Sequence, residues 1–219
     1  MEVVMKKLII MLLALVLALS PIIMSCSSKE ETGTSEGELI PSEDSTAPEG
    51  FKGDYTVEIT VKNYGTITLE LDSDSAPVTV ENFVALARKG FYNGLTFHRI
   101  IEGFMMQGGD PLGNGTGGSG KTITGEFSLN GWNNGLSHTR GAVSMARSKA
   151  YDSASSQFFI VHQDSPHLNG SYACFGYVTR GMNIVDKICE DAEPTDSNGT
   201  IPASAQPVIE SVKVWEISE

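Results

Sequence analysis

The chain has few cysteines, few basic residues and only one long apolar run. Of its 219 residues only three are cysteine, Cys26, Cys174 and Cys189. Cys174 and Cys189 read as free, buried thiols, although an oxidising compartment would permit a bond between them if they lay close enough. The histidines His98, His138, His162 and His167 lack metal-ligand spacing, and no cysteine accompanies them. They read as structural or substrate-contacting residues, and neither a metal nor a cofactor is expected. Fifteen basic residues face 27 acidic ones, a formal charge of −12. Such a surface repels nucleic acid and anionic lipid, so neither is an expected partner. No Gly-x-Ser-x-Gly occurs to suggest a nucleophile elbow.

The single long apolar run, Leu8 to Leu19, follows Lys6 and Lys7 and stops at Ser20-Pro21. A spanning helix needs roughly 20 apolar residues, so this shorter run after a basic start reads as a signal peptide over 1–25. Ile23-Met24-Ser25-Cys26 resembles the lipobox of bacterial lipoproteins. The resemblance implies a diacylglyceryl group on Cys26, and two acyl chains anchor stably where one does not. Without 1–25 the chain carries 13 basic and 26 acidic residues. Attachment to a bilayer would therefore rest on the lipid. Residues 26–54 are rich in Ser, Thr, Gly, Pro and Glu, and read as a disordered acidic tether. Residues 55–219 suffice for one well-filled core.

Within 55–219, Val57, Ile59 and Val61 alternate with polar residues, as do Ile67, Leu69 and Leu71. With Asn63-Tyr64-Gly65 between them, these runs predict a hairpin. Pro77 opens a helical pattern in which Val80, Phe83, Val84 and Ala87 share a face and Gly90 marks the end. Short apolar runs follow at Leu95–Phe104, Gly141–Met145, Phe158–Val161 and Cys174–Val178. A second helix is predicted around Ile184, Val185 and Ile188, and a last strand over Val208–Ile217. Many short strands, few helices and 23 glycines favour an antiparallel sandwich or closed barrel.

Two glycine-rich patterns invite a nucleotide reading. Gly115-Thr116-Gly117-Gly118-Ser119-Gly120-Lys121-Thr122 matches G-x-x-x-x-G-K-T, and residues 113–118 match G-x-G-x-x-G. Both motifs need a buried strand before them and a helix after them. Ile123-Thr124-Gly125-Glu126 carries no helix signal, so a surface loop is expected and no nucleotide.

One stretch concentrates the chemistry: Phe97-His98-Arg99-Ile100, then Gly103-Phe104-Met105-Met106-Gln107-Gly108-Gly109-Asp110. In order along the chain come Asn114-Gly115-Thr116-Gly117-Gly118, Ser144-Met145-Ala146 and Ser156-Gln157-Phe158-Phe159-Ile160. Phe175-Gly176 and Gly181-Met182-Asn183-Ile184-Val185 follow. This ordered set resembles the cyclophilin peptidyl-prolyl isomerases over essentially the whole of 55–219. The resemblance implies a mainly β fold, a closed eight-stranded antiparallel barrel capped by two helices. It implies rotation about X-Pro bonds during protein folding; with the signal peptide and the lipobox-like segment, the substrates would be exported proteins and the enzyme a monomer held outside the cytoplasm of a bacterial cell. A Pro-peptide-binding chaperone module with little turnover is the alternative.

The resemblance also implies site residues. Arg99, Phe104 and Gln107 take the catalytic positions, with Arg99 aimed at the prolyl nitrogen and Gln107 orienting it. Phe104, Met105, Phe159 and Leu168 form the proline pocket. Gly115, Ala146, Arg147, Ser148 and Gln157 line the peptide groove, and His167 and Tyr172 stand at its rim. Three positions depart from the best-known members: Arg147 where many carry Asn, His167 where they carry Trp, and Tyr172 where they carry His. The Trp is associated with cyclosporin binding, so only weak inhibition by that drug is expected.

Overall fold

A computed structural model describes residues 45–218. The signal peptide, Cys26 and most of the tether lie outside the described residues. The last part of the expected tether is seated on the domain. Thr46 donates through N and Oγ1 to the Val178 carbonyl, and the Phe51 ring meets Tyr177 edge-on at 4.8 Å. The packed chain thus begins before Tyr55, because Ala47 and Phe51 supply apolar anchors among polar neighbours.

Eight strands and two helices follow. They are β1 (Tyr55–Val61), β2 (Gly65–Leu71), α1 (Pro77–Arg88), β3 (Thr96–Ile101), β4 (Met105–Asp110) and β5 (Ala142–Met145). After them come β6 (Phe158–Val161), β7 (Cys174–Arg180), α2 (Met182–Glu190) and β8 (Ile209–Glu216). The hairpin, both helices and the last strand lie where periodicity placed them. Asn63 takes a positive φ of 66° in the β1–β2 turn, a conformation that Asn tolerates better than most residues. Pro77 occupies the first turn of α1, and Val80, Phe83, Val84 and Ala87 are buried.

All strand pairs are antiparallel, in the order β3-β4-β6-β5-β7-β2-β1-β8. The ladder does not run full circle, so the fold is a curled half-barrel with eight antiparallel strands rather than the closed barrel that the resemblance implied. The outer edge of β3 shows the reason. Beyond Phe97, that edge is occupied by the 196–201 loop: Ile100 N bonds Gly199 O, and Ile201 N bonds His98 O. Only one bridge, Thr96 to Val208, and the adjacent bonds of Phe97 and Ile209 join β3 to the start of β8.

The period of two divides the side chains between two cores. On the concave side, Val57, Ile59, Leu69, Met106, Phe158 and Ile160 pack with α1 and α2. Phe83 centres this core, with ring centroids of Tyr92, Phe158 and Phe175 at 4.9, 5.4 and 5.4 Å. Fully burying such side chains contributes about 1.5–3 kcal/mol each. A smaller cluster on the other face gathers Met105, Ala142, Phe159, Val161, Leu168, Cys174 and Tyr177. Cys174 and Cys189 are both free and buried, and burial pushes each thiol up to about 12.

Candidate active site

The site stands on the convex face of β3, β4 and β6. Arg99 pairs with Gln107, Ile101 with Met105, Gln107 with Phe159 and Met105 with Val161, which sets alternate residues of three strands side by side. Met105 and Phe159 are ordinary core by burial, 1% and 5% exposed. What distinguishes them is an open side. With Phe104, Leu168 and Ala146 they enclose a cavity of about 150 Å³, and Arg99, Gln107, Arg147 and Tyr172 complete its wall. Nine of the thirteen residues expected in the site therefore converge on one hollow.

Arg99 is held from several sides. Its Nε donates to the Asn198 carbonyl at 2.7 Å, and Nη1 lies 3.3 Å from Gln107 Oε1 and 3.7 Å from Met105 Sδ. Burial lowers its pKa, against the attraction of Tyr172 and Asp196, yet an arginine keeps its proton at any ordinary pH. The Asn198 contact was not legible in the sequence, since it comes from a loop about a hundred residues away that pairs with the free edge of β3.

Gln107 continues the chain of contacts. Its Nε2 donates to Gln157 Oε1 at 2.8 Å, and Gln157 Nε2 donates to the Gly117 carbonyl at 2.8 Å. Behind Phe159 lies His138, its ring nearly parallel at 6.1 Å. His138 bonds Asn169 Oδ1 through Nδ1 and Ser144 Oγ through Nε2, so a neutral ring with its proton on Nδ1 satisfies both. Burial lowers the pKa of this imidazole and outweighs its bond to Asn169. His138 was expected only as a structural or substrate-contacting histidine; its link to Phe159 is visible only in three dimensions.

At the rim, Tyr172 meets Phe159 edge-on at 5.8 Å. His167 does not line the cavity; its ring lies 5.5 Å from Phe104 and backs that wall. Arg147, in the groove, is packed among three aromatic rings. Its guanidinium lies 4.7 Å from the Tyr172 ring centre, 4.9 Å from Phe127 and 5.2 Å from Tyr151. Nε and Nη2 donate to Ser171 O, and Nη1 donates to Ser148 O.

A second cavity, of about 230 Å³, adjoins the first and shares Gln107, Ala146 and Arg147 with it. The expected residues Gly115, Ser148 and Gln157 line this one, with Thr116, Ser153 and Ser155. Its Gly-rich wall carries the P-loop-like sequence, and the backbone N–H groups there already hold an anion. Asp110 accepts from the amides of Leu112, Asn114 and Gly115. Burial raises the pKa of this carboxyl, but these amides and that of Gly117 outweigh it and keep the group below its usual range. The loop is thus a cradle for Asp110. Among the described residues no cluster of three or more His, Cys, Asp or Glu could hold a metal ion. No described helix is long and apolar enough to cross a membrane.

Such a site offers a fixed cation in the wall of a largely apolar hollow. Comparison with known proteins gives the same direction. The family model for cyclophilin type peptidyl-prolyl cis-trans isomerases matches residues 56–214. A peptidyl-prolyl cis-trans isomerase of Helicobacter pylori is 48% identical over 136 residues, covering 61% of this chain and 80% of that protein. Peptidyl-prolyl cis-trans isomerase B of Bacillus subtilis is 53% identical over 118 residues, 54% of this chain and 79% of its own. A cyclophilin type isomerase of Cryptosporidium parvum, crystallised in the presence of the dipeptide Ala-Pro, shares 33% identity. The TM-score is 0.63, with 72% of this chain and 96% of that one covered. By sequence and by fold, the chain belongs to the cyclophilin type peptidyl-prolyl cis-trans isomerases.

Proposed function

We propose that the protein catalyses cis-trans rotation about X-Pro peptide bonds, with Arg99 as the residue that favours the twisted amide. The planar amide resists rotation because conjugation gives the C–N bond double-bond character, a barrier of about 18–20 kcal/mol. Half-way round, conjugation is lost and the prolyl nitrogen regains a lone pair. An N–H donor aimed at that nitrogen binds the twisted state and gains little from the planar one, which is the differential binding that lowers a barrier. The observation that carries this reading is Arg99, bonded by Asn198 and beside Gln107, at the edge of the apolar hollow built by Phe104, Met105, Phe159 and Leu168. A prolyl ring fits the hollow's chemistry, and the flanking peptide would lie across Gln107 and Ala146 toward the second cavity.

The substrates would be exported proteins whose folding waits on prolyl isomers, steps of tens to hundreds of seconds without catalysis. The sequence pattern around Cys26 supports tethering by lipid to the outside of a bacterial cell membrane. Two measurements test these parts separately. Isomerisation of a short X-Pro peptide by the purified chain tests the activity. Incorporation of labelled fatty acid, abolished in Cys26→Ser, tests the anchor. A chain that binds the peptide without accelerating its rotation would favour the chaperone module instead.

A further inference from the structure

Neither cavity of the groove is lined by a carboxylate, although the chain is formally −12. Both are lined by Arg147, and the first by Arg99 as well. Four ion pairs occur among the described residues, and neither of these arginines belongs to one. The hydrogen bonds of Arg147 go only to the neutral carbonyls of Ser148 and Ser171 and account for three of its five N–H donors. Its other neighbours are the rings of Phe127, Tyr151 and Tyr172, which hold a cation by their faces without cancelling its charge. The side chain is half-buried, so its field is less screened than that of a surface lysine.

The second cavity's own walls extend the point. Ser148 donates its hydroxyl proton to Ser153 at 2.8 Å, Ser153 donates its own to the Ala150 carbonyl, and Ser155 lines the same hollow. Thr116 and Gln157 add further polar groups, and no large apolar side chain lines the hollow. Polar walls around a fixed guanidinium with two uncommitted N–H donors make a poor seat for a leucine and a better one for a carboxylate.

Building on the reading of the groove as a prolyl-peptide site, we propose that the second cavity selects an acidic side chain close to the proline, with Arg147 as the specificity-determining residue. A Glu carboxylate there meets the guanidinium and its two uncommitted N–H donors. A Lys at the same place meets a like charge. The net charge of the protein slows the approach of an acidic peptide from afar, but salt screens that repulsion within about 10 Å while the contact inside the groove persists. Because Arg147 is partly open to water, the expected preference is modest, about 3- to 10-fold for Glu over Gln.

The test uses the full chain and three peptides that differ only in Glu, Gln or Lys, placed in turn one or two residues before the proline and one after. Both kcat/KM and the dissociation constant from direct titration are measured. The expected result is the order Glu, Gln, Lys in at least one position, with Arg147→Gln abolishing the preference whatever it does to the absolute rates. Equal values for all three peptides at every position, or an Arg147→Gln variant that weakens all three alike, would overturn the proposal. Absence of turnover on the Gln peptide would count against the isomerase reading alone, because the titrations still rank the three side chains.

Discussion

Gln107 on β4 donates its Nε2 to Gln157 Oε1 at 2.8 Å, across the boundary between the two cavities. An amide has one acceptor and one donor end, so this bond decides which end of Gln107 faces Arg99. It is Oε1, 3.3 Å from Nη1, the acceptor a guanidinium needs. Gln157 is oriented in turn by the Gly117 carbonyl. The glycine loop, outside the lining of the prolyl hollow, thereby bears on the placement of the arginine.

Gln157→Leu is expected to lower kcat about 3- to 10-fold, since it leaves Gln107 without a partner that fixes its rotamer. Gln157→Glu keeps the acceptor for Gln107 but loses the donor to the Gly117 carbonyl, so it should retain more of the rate than Gln157→Leu. Steady-state kinetics on one neutral X-Pro peptide decides between them. Equal losses in the two variants would mean that Gln157 does not act through Gln107.

Arg99→Ala should remain folded by near-ultraviolet circular dichroism and lose about 10- to 100-fold in kcat/KM. That is the range for one charge-assisted hydrogen bond made in the transition state. Arg99→Lys retains a charge but not the fork that reaches Asn198 and Gln107 together, so it should recover little. Near-normal turnover in Arg99→Ala would sink the proposed mechanism.

How far the sequence discloses these features depends on whether each is local. The β1–β2 hairpin and α1 announce themselves by period, turn residues and Pro77, because each is stabilised by near neighbours. Arg99, Phe104, Met105, Gln107 and Phe159 were visible through their motifs, and strand pairing brings them together as those motifs imply. The Asn198 bond, the His138 plate behind Phe159 and the aromatic bed of Arg147 were not visible. Apart from Tyr151, which follows Arg147 closely, each joins segments about twenty or more residues apart, with no spacing rule to reveal it. The gap between β3 and β8 was hidden for the same reason, since only the folded chain lays the 196–201 loop along β3.

The Asp110 cradle gives a stability prediction. A Cβ on Gly117 would sit 2.1 Å from Asp110 Oδ1, so Gly117→Ala must displace the carboxylate from its amides. The expected loss is about 1–3 kcal/mol in denaturant unfolding, together with weaker binding at the second cavity. Gly120→Ala serves as the comparison: nothing lies within 4 Å there, but φ is +82°, so backbone strain of about 1 kcal/mol is expected. If Gly117→Ala is no less stable than Gly120→Ala, the carboxylate is not a fixed part of the loop.

The pH dependence of stability separates into two windows. His98 is 4% exposed, and neither ring nitrogen bonds a protein group. Burial lowers its pKa, Asp110 opposes this, and Arg99 adds to it. His138 is lowered by burial as well. For both rings the unfolded chain binds protons more readily than the folded one. Their contribution is therefore complete above the ordinary imidazole value of about 6.5 and is lost as the pH falls through it toward the lowered values. Asp110 and Asp186 are also lowered, Asp186 chiefly by its bonds to Arg140, and their contributions are lost only at more acid pH, below about 4. Substituting His138 would strand Asn169 and Ser144, whereas His98→Leu strands no partner. Thermal midpoints from pH 8 to pH 4.5 should fall through the imidazole window in the unmodified protein and fall less steeply in His98→Leu. An unchanged slope in that variant would show that His98 contributes nothing to the acid sensitivity.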